Sequence, residues 1–205
     1  MKTIEIKNSQ LTDILNRFLP TLLHVDREKF PYNSGNITPE YACGREYLEH
    51  MQSKKVDGFP EKTYGIDLLK YRTPHESVRV ALKKLDEELL AWSGSRNNAV
   101  KMLYPKGGYM GWHHNANAPG YNILLSWSEK GTGFFRYQDP VTREIITVQD
   151  TPGWTCKVGY YGSWTEKDKI IWHCASAEHE ERFTLGYIIP HEGMWVDMYE
   201  DIQSS

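Results

Sequence analysis

The sequence predicts an α+β fold in which N-terminal helices support a C-terminal double-stranded β-helix, or jelly roll. Three observations lead there. Hydrophobic spacing is helical in the first half of the chain and strand-like in the second. The second half breaks into the short runs AVKMLY, YNILLSWS, GFFRY, EIITVQ, WTCKVGYY, KIIWHC and FTLGYII, punctuated by Gly, Pro, Asp and Asn. Many short strands at such spacing suit a sandwich, barrel or jelly roll better than a parallel sheet. Finally, 205 residues with 40% hydrophobic and 25% charged side chains match an ordinary globular protein and exclude disorder as the main state.

Taken in order, Ile4 and Ile6 alternate with polar neighbours as a short strand does. Leu11, Ile14, Leu15 and Phe18 then share one helical face, and Pro20 is expected to stop that helix. A second helix is expected from Pro39, with Thr38 as N-cap and Tyr41, Leu48 and Met51 at loose helical spacing, weakened by Gly44. The clearest helix spans Pro74 to Trp92. Thr73 and Glu76 form a capping box, Pro74 takes the first helical position, and Val78, Leu82, Leu85 and Leu89 make the buried stripe. Ser93-Gly94 ends it, and the pairs Lys83/Glu87 and Lys84/Glu88 mark its solvated face.

With no linker or repeat, the chain reads as a single domain over 1–205: mainly helical support over 1–98, a jelly-roll core over 99–190 and a tail over 191–205 that is either a contact or frayed. Lys and Arg total 24 against 27 Asp and Glu, a formal charge of -3. No basic cluster interleaved with aromatics stands out, which argues against a nucleic-acid partner. Cys43, Cys156 and Cys174 are odd in number and form no C-x-x-C pair, as expected in a reducing compartment. The N-terminus has no apolar signal core, and no run reaches the ~18 apolar residues of a membrane span. A soluble, cytoplasmic protein is the expectation.

Among the histidines, His24, His50 and His75 lie in or beside helices without pattern and read as structural. The informative set is His113, His114 and Asn115 at the start of the strand-rich region, and His173 near its end, followed nine residues later by Arg182. In a jelly roll the mouths of an early and a late strand face each other. Two imidazoles and one oxygen donor gathered there would leave coordination positions open, the facial arrangement used with non-haem Fe(II).

In YPKGGYMGWHHN, Tyr104, Gly107, His113 and Asn115 fall at offsets 0, 3, 9 and 11. The run resembles the Y-x-x-G-x-x-x-x-x-H-x-D pattern of Fe(II)/2-oxoglutarate-dependent dioxygenases, particularly the prolyl-4-hydroxylase-like group. WHCASAEHEERFTLGYII carries the second half of the resemblance, a late-strand histidine with a basic residue opening the last core strand. The resemblance implies Fe(II) and 2-oxoglutarate as cofactors, His113 and His173 as metal ligands, and Arg182 as the partner of the distal 2-oxoglutarate carboxylate, a task suited to a planar fork. Thr184 shares a strand face with Arg182 and adds a hydroxyl, and Tyr104 matches the tyrosine that also reaches 2-oxoglutarate. Arg182 replaces the lysine of the prolyl-hydroxylase pattern one residue early, so the substrate does not transfer.

Asn115 stands where the family has a carboxylate. Three readings remain open: a neutral His/Asn/His site that turns over, an open site, or a site that has lost redox chemistry. His114 would face the opposite side of the strand. Aromatic residues around the site, among them Tyr109, Trp112, Phe135 and Trp172, are core or dry walls, and NANAPGYN over 115–122 reads as a loop at the barrel lip. The implied activity is hydroxylation of a peptide side chain or small molecule with release of succinate and CO2. The competing reading is a non-catalytic binding module in which Arg182 makes an ordinary ion pair.

Overall fold

The computed structural model describes residues 1–25, 36–54, 58–69, 76–95 and 97–205. Among these residues eleven strands form two antiparallel sheets. The larger has the order β1 (Lys2–Ile4), β9 (Gly153–Tyr161), β6 (Gly120–Ser128), β11 (Arg182–Ile189), β4 (Asn97–Tyr104), β3 (Ile66–Asp67). The smaller has the order β2 (Thr63–Tyr64), β5 (Tyr109–His113), β10 (Trp172–Ser176), β7 (Phe134–Gln138), β8 (Ile145–Gln149). From β4 onward the chain crosses between sheets at every step except β7 to β8, which form a hairpin.

The period-two alternation of β11 explains the layering. Phe183, Leu185, Tyr187 and Ile189 face one way into a core completed by helices α1 (Ser9–Leu23) and α4 (Glu76–Ser93). Arg182 and Thr184 face the other way, into the space between the sheets. Outside the smaller sheet, Trp112, Trp172 and Cys174 pack with Leu48 and Met51 from α3 (Arg45–Ser53) and with Ala42 from α2 (Pro39–Ala42). Each sheet therefore has a helical backing, and the site lies between the sheets.

Asn8 caps α1 through a bond from the Leu11 amide (2.9 Å). Contrary to expectation, Pro20 does not stop this helix, which runs to Leu23. The ~3 kcal/mol that an interior proline costs is offset by burying Leu22 and Val25 beyond it, at about 1.5–3 kcal/mol each. The helix expected from Pro39 is two helices, broken at Gly44, which N-caps α3. Thr38 caps α2 as expected, accepting from the Tyr41 amide (3.3 Å). A Cβ on Gly44 would sit 2.7 Å from the Glu40 carbonyl oxygen, so the tight joint needs glycine.

Helix α4 buries Val78, Leu82, Leu85 and Leu89 as its spacing predicts. Thr73, Pro74 and His75, and with them the capping box, lie outside the described residues. Lys83 and Glu87 pair at the surface (3.5 Å), whereas Glu88 takes a contact from Arg17 of α1 (2.8 Å) that ties the two helices. The tail is not frayed: α5 (Glu192–Gln203) buries Met198 and Ile202 against the α1/α4 side of the core. Strand β5, absent from the sequence expectation, pairs with β2 on one side and β10 on the other. The run KIIWHC becomes strand only from Trp172, after a 3-10 turn over Lys167–Lys169. No helix among the described residues is long and apolar enough to cross a membrane.

Candidate functional site between the sheets

His113 and His173 are register partners in the β5/β10 ladder, with ring centroids 4.1 Å apart. Each ring is fixed by the carbonyl two residues before it: His113 Nδ1 lies 2.9 Å from the Gly111 oxygen and His173 Nδ1 3.1 Å from the Ile171 oxygen. A carbonyl only accepts, so both Nδ1 atoms carry the proton and both Nε2 atoms keep a lone pair. Burial, reinforced by the neighbouring His173 ring, pushes the His113 pKa far down. Burial likewise pushes His173 down to about 4. Two adjacent neutral imidazoles with free lone pairs are the donor state that a divalent metal needs.

Gly111 makes this placement possible. Its amide donates to the Lys62 carbonyl (2.8 Å), and a Cβ there would lie 2.8 Å from that same oxygen. Only glycine lets the segment before β2 close over β5 at this point. His114, next along, is buried on the opposite face, edge-on to Trp164 (4.8 Å) and Trp172 (4.4 Å). It lies on the other side of the strand, as alternation predicts, though packed between rings and not in solvent.

Two cavities share His113, His173, Val100, Met110 and Leu124 in their linings. The inner one, ≈ 30 Å³, reaches Tyr104, Ser126, Arg182 and Thr184. The outer one, ≈ 210 Å³, reaches Asn115, Asn117, Asn122 and Tyr161. All six residues singled out by the sequence thus line this connected space, with the histidines where its two parts meet. Asn115 follows β5 and lines the outer part. Its carbonyl accepts from the Ala118 amide (2.9 Å), which sets the turn of the 115–122 loop.

Arg182 is 1% exposed and held on three sides. Nε donates to Asp150 Oδ2 (2.6 Å), Nη1 to Thr184 Oγ1 (2.6 Å) and Nη2 to Ser126 Oγ (3.3 Å). Lys157 Nζ bonds the other Asp150 oxygen (2.9 Å). Against the cost of its own burial, Asp150 is kept below the usual carboxylate range by Arg182 and then Lys157. Burial, partly offset by Asp150, lowers the Lys157 pKa. Asp150 raises that of Arg182 against burial. The guanidinium spends three of its five N–H groups here. The other two, with the hydroxyl hydrogens of Ser126 and Thr184, form a donor cradle fit for a carboxylate. Tyr104, register partner of Arg182 on β4, lies with its ring 5.5 Å from the guanidinium carbon. Burial raises its phenol pKa, so it remains a donor.

Sequence reasoning missed Asp150, Lys157, Ser126 and Tyr161. A lysine at an inward position of the apolar run WTCKVGYY is the signal for Lys157, because a buried amine requires a buried acid. Tyr161 shares a strand face with Lys157 and stacks on His173 at 4.8 Å.

For a metal the donor set is two imidazoles, with Asn115 on the same cavity as an amide oxygen. Among the described residues no group of three or more His, Cys, Asp and Glu is arranged to hold one. The two neutral, carbonyl-oriented imidazoles fit a divalent ion, and the third protein donor, if supplied by Asn115, is uncharged.

No protein-family model and no curated protein matches the sequence. Similar solved structures include a Pseudomonas putida prolyl-4-hydroxylase, 13% identical, with 93% of this chain and 92% of that chain covered and a TM-score of 0.45. YcfD, a ribosomal oxygenase from Escherichia coli, is 15% identical over 73% of this chain and 38% of its own, with a TM-score of 0.35. The viral collagen prolyl hydroxylase vCPH of Paramecium Bursaria Chlorella virus-1, in its 2OG complex, is 10% identical, with 82% and 99% covered and a TM-score of 0.34. All three carry the names of oxygenases or hydroxylases. At these identities and scores, the chemistry open to this chain has to follow from its own residues.

Proposed function

We propose that this chain is an Fe(II)- and 2-oxoglutarate-dependent oxygenase that hydroxylates a peptide side chain or small molecule, with succinate and CO2 as co-products. The observation that carries this reading is the His113/His173 pair, which lines a cavity continuing inward to Arg182. The alternation of β4 to β11 between two sheets supports a jelly-roll winding, with 1–205 as one unit.

In this reading His113, His173 and Asn115 hold the iron, which when bound supplies oxygen activation. Arg182, Thr184 and Tyr104 bind the distal carboxylate of 2-oxoglutarate, with Ser126 completing the cradle. Asp150 fixes the guanidinium by its Nε, so the fork stays aimed as the ligand enters. Leu124, Phe135 and Met110 exclude water from the inner cavity, which strengthens each charge-assisted bond there.

One observation favours a second reading. Arg182 already has a buried carboxylate partner, Asp150, and no carboxylate among the described residues joins the histidines. Both would suit a binding module without redox chemistry. Anaerobic titration with Fe(II) followed by 2-oxoglutarate separates the two. The oxygenase gives a metal-to-ligand charge-transfer band and then, with O2, succinate. Absence of both would favour the binding module.

A further inference from the structure

Asn115 has to be held by something other than the sheet. Strand β5 ends at His113, the register partner of His173, and no ladder pair among the described residues reaches Asn115. His114 stands between the two and lines neither cavity of the site. It is buried edge-on to Trp164 and Trp172, and its carbonyl accepts from the Gly58 amide (2.8 Å). Ring and backbone of His114 are thus both fixed. From that position its Nδ1 accepts from the Ala116 amide (3.3 Å), a side chain closing on the N–H two residues ahead as in the turns set by Asn and Asp. The Ala116 N–H lies in the same peptide plane as the Asn115 carbonyl, which accepts from the Ala118 amide (2.9 Å). The plane before Asn115 is therefore pinned through the His114 carbonyl, and the plane after it at both of its polar ends. Together they fix the two backbone rotations of Asn115 and the direction in which its side chain leaves the chain.

We propose that His114 is the positioning residue for Asn115, its Nδ1 holding the peptide plane that keeps Asn115 at the wall of the cavity shared with His113 and His173. The need for such a device follows from the neutrality of Asn115. An uncharged amide oxygen gains less from a cation than a carboxylate does, so little electrostatic pull is available to draw a loose side chain into place. Its geometry has to be set beforehand, by a neighbour that is itself fixed. The consequence for metal binding rests on the oxygenase reading. The hydrogen bond itself requires no metal.

Two substitutions separate the acceptor from the packing. His114→Phe keeps a ring between the two indoles and deletes the Nδ1 acceptor, whereas His114→Asn gives up the ring and keeps an acceptor oxygen near the place of Nδ1. In metal-free full-length protein, hydrogen exchange at the Ala116 amide should be roughly three- to tenfold faster in His114→Phe and should stay slow in His114→Asn, each referred to the other amides of the same variant. In an anaerobic titration with Fe(II) alone, one ion still binds to His114→Phe, because both imidazoles remain, but about tenfold more weakly. His114→Asn should recover most of that affinity despite a lower thermal midpoint, which a packing role would not allow. In an Asn115→Ala background, His114→Phe should cost Fe(II) affinity nothing further. Unchanged Ala116 exchange or undiminished Fe(II) affinity in His114→Phe, equal losses in the Phe and Asn variants, or losses additive with Asn115→Ala would each overturn the assignment. If the wild-type protein binds no Fe(II), the oxygenase reading falls, and Ala116 exchange alone decides whether His114 holds the turn.

Discussion

His113 and His173 face each other across two antiparallel strands with ring centroids 4.1 Å apart, and each surrenders its Nδ1 to the carbonyl two residues earlier. The tautomer is therefore set by backbone that both strands hold rigid, and the nitrogens that would face the proposed metal are set with it. Replacing either histidine by Ala should abolish stoichiometric Fe(II) binding in an anaerobic titration, since a single imidazole remains. His114→Ala should retain it, because His114 packs on the opposite face between Trp164 and Trp172. Loss of metal in His114→Ala with retention in His113→Ala would reverse the assignment.

The same pair makes metal-free stability depend on pH in a defined window. In the unfolded chain histidine titrates at about 6.5. Here burial holds His173 at about 4 and His113 well below its ordinary value. Between those values the unfolded state binds more protons, so stability rises with pH. It is fully present above about 6.5 and lost as pH falls toward 4, at up to about 1.4 kcal/mol per pH unit for each histidine. Urea unfolding across this range should show the slope, and His173→Gln should flatten it. Asp150 is shifted in the same direction, downward, but from a more acid starting value. Its lowered pKa supports the fold above the ordinary carboxylate range and is lost at more acid pH, separating the two effects.

The parts of this architecture that were legible were those with local physical causes. The α4 stripe follows from helical periodicity, and His113, His173 and Arg182 were drawn out by the two runs that resemble the dioxygenase pattern. Strand β5 did not, because all of Tyr109–His113 is buried, no polar alternation marks a face, and Gly111 interrupts the run. Pro20 misled because the burial that outweighs it comes from residues past the proline. Asp150 was invisible for a related reason: its meaning depends on Lys157 and Arg182, which tertiary pairing alone brings to it.

Arg182 has two partners of consequence, and its variants should separate them. Arg182→Ala removes a fork worth about 1.5–3 kcal/mol to a carboxylate, so 2-oxoglutarate should bind at least tenfold more weakly while Fe(II) binding barely moves. It also leaves Asp150 buried with Lys157 alone, and breaking such a pair costs about 3–5 kcal/mol of stability. Arg182→Ala combined with Asp150→Asn should recover part of the stability and none of the 2-oxoglutarate affinity. Calorimetry and thermal denaturation read the two losses independently. Equal 2-oxoglutarate affinity in wild type and Arg182→Ala would remove Arg182 from the site.

Asn115 carries the sharpest prediction because it is the neutral residue at a position where a carboxylate would be expected. If its side-chain oxygen ligates the metal, Asn115→Asp adds a negative charge beside Fe(II) at nearly unchanged size. At an effective dielectric near 20 and a few ångströms, a unit charge is worth several kcal/mol before its own desolvation, so affinity should rise by at least about tenfold. Asn115→Ala should lower it. Turnover need not follow affinity. The 115–122 loop is set by the Asn115 carbonyl accepting from Ala118, and a carboxylate that draws toward the metal pulls on that turn and on the outer cavity lined by Asn117 and Asn122. Tighter metal with slower substrate oxidation is therefore the expected outcome for the Asp variant, read by Fe(II) titration alongside O2 consumption. Unchanged Fe(II) affinity in both variants would falsify ligation by Asn115. The metal would then be held by His113 and His173 alone, with an exogenous ligand in the third position.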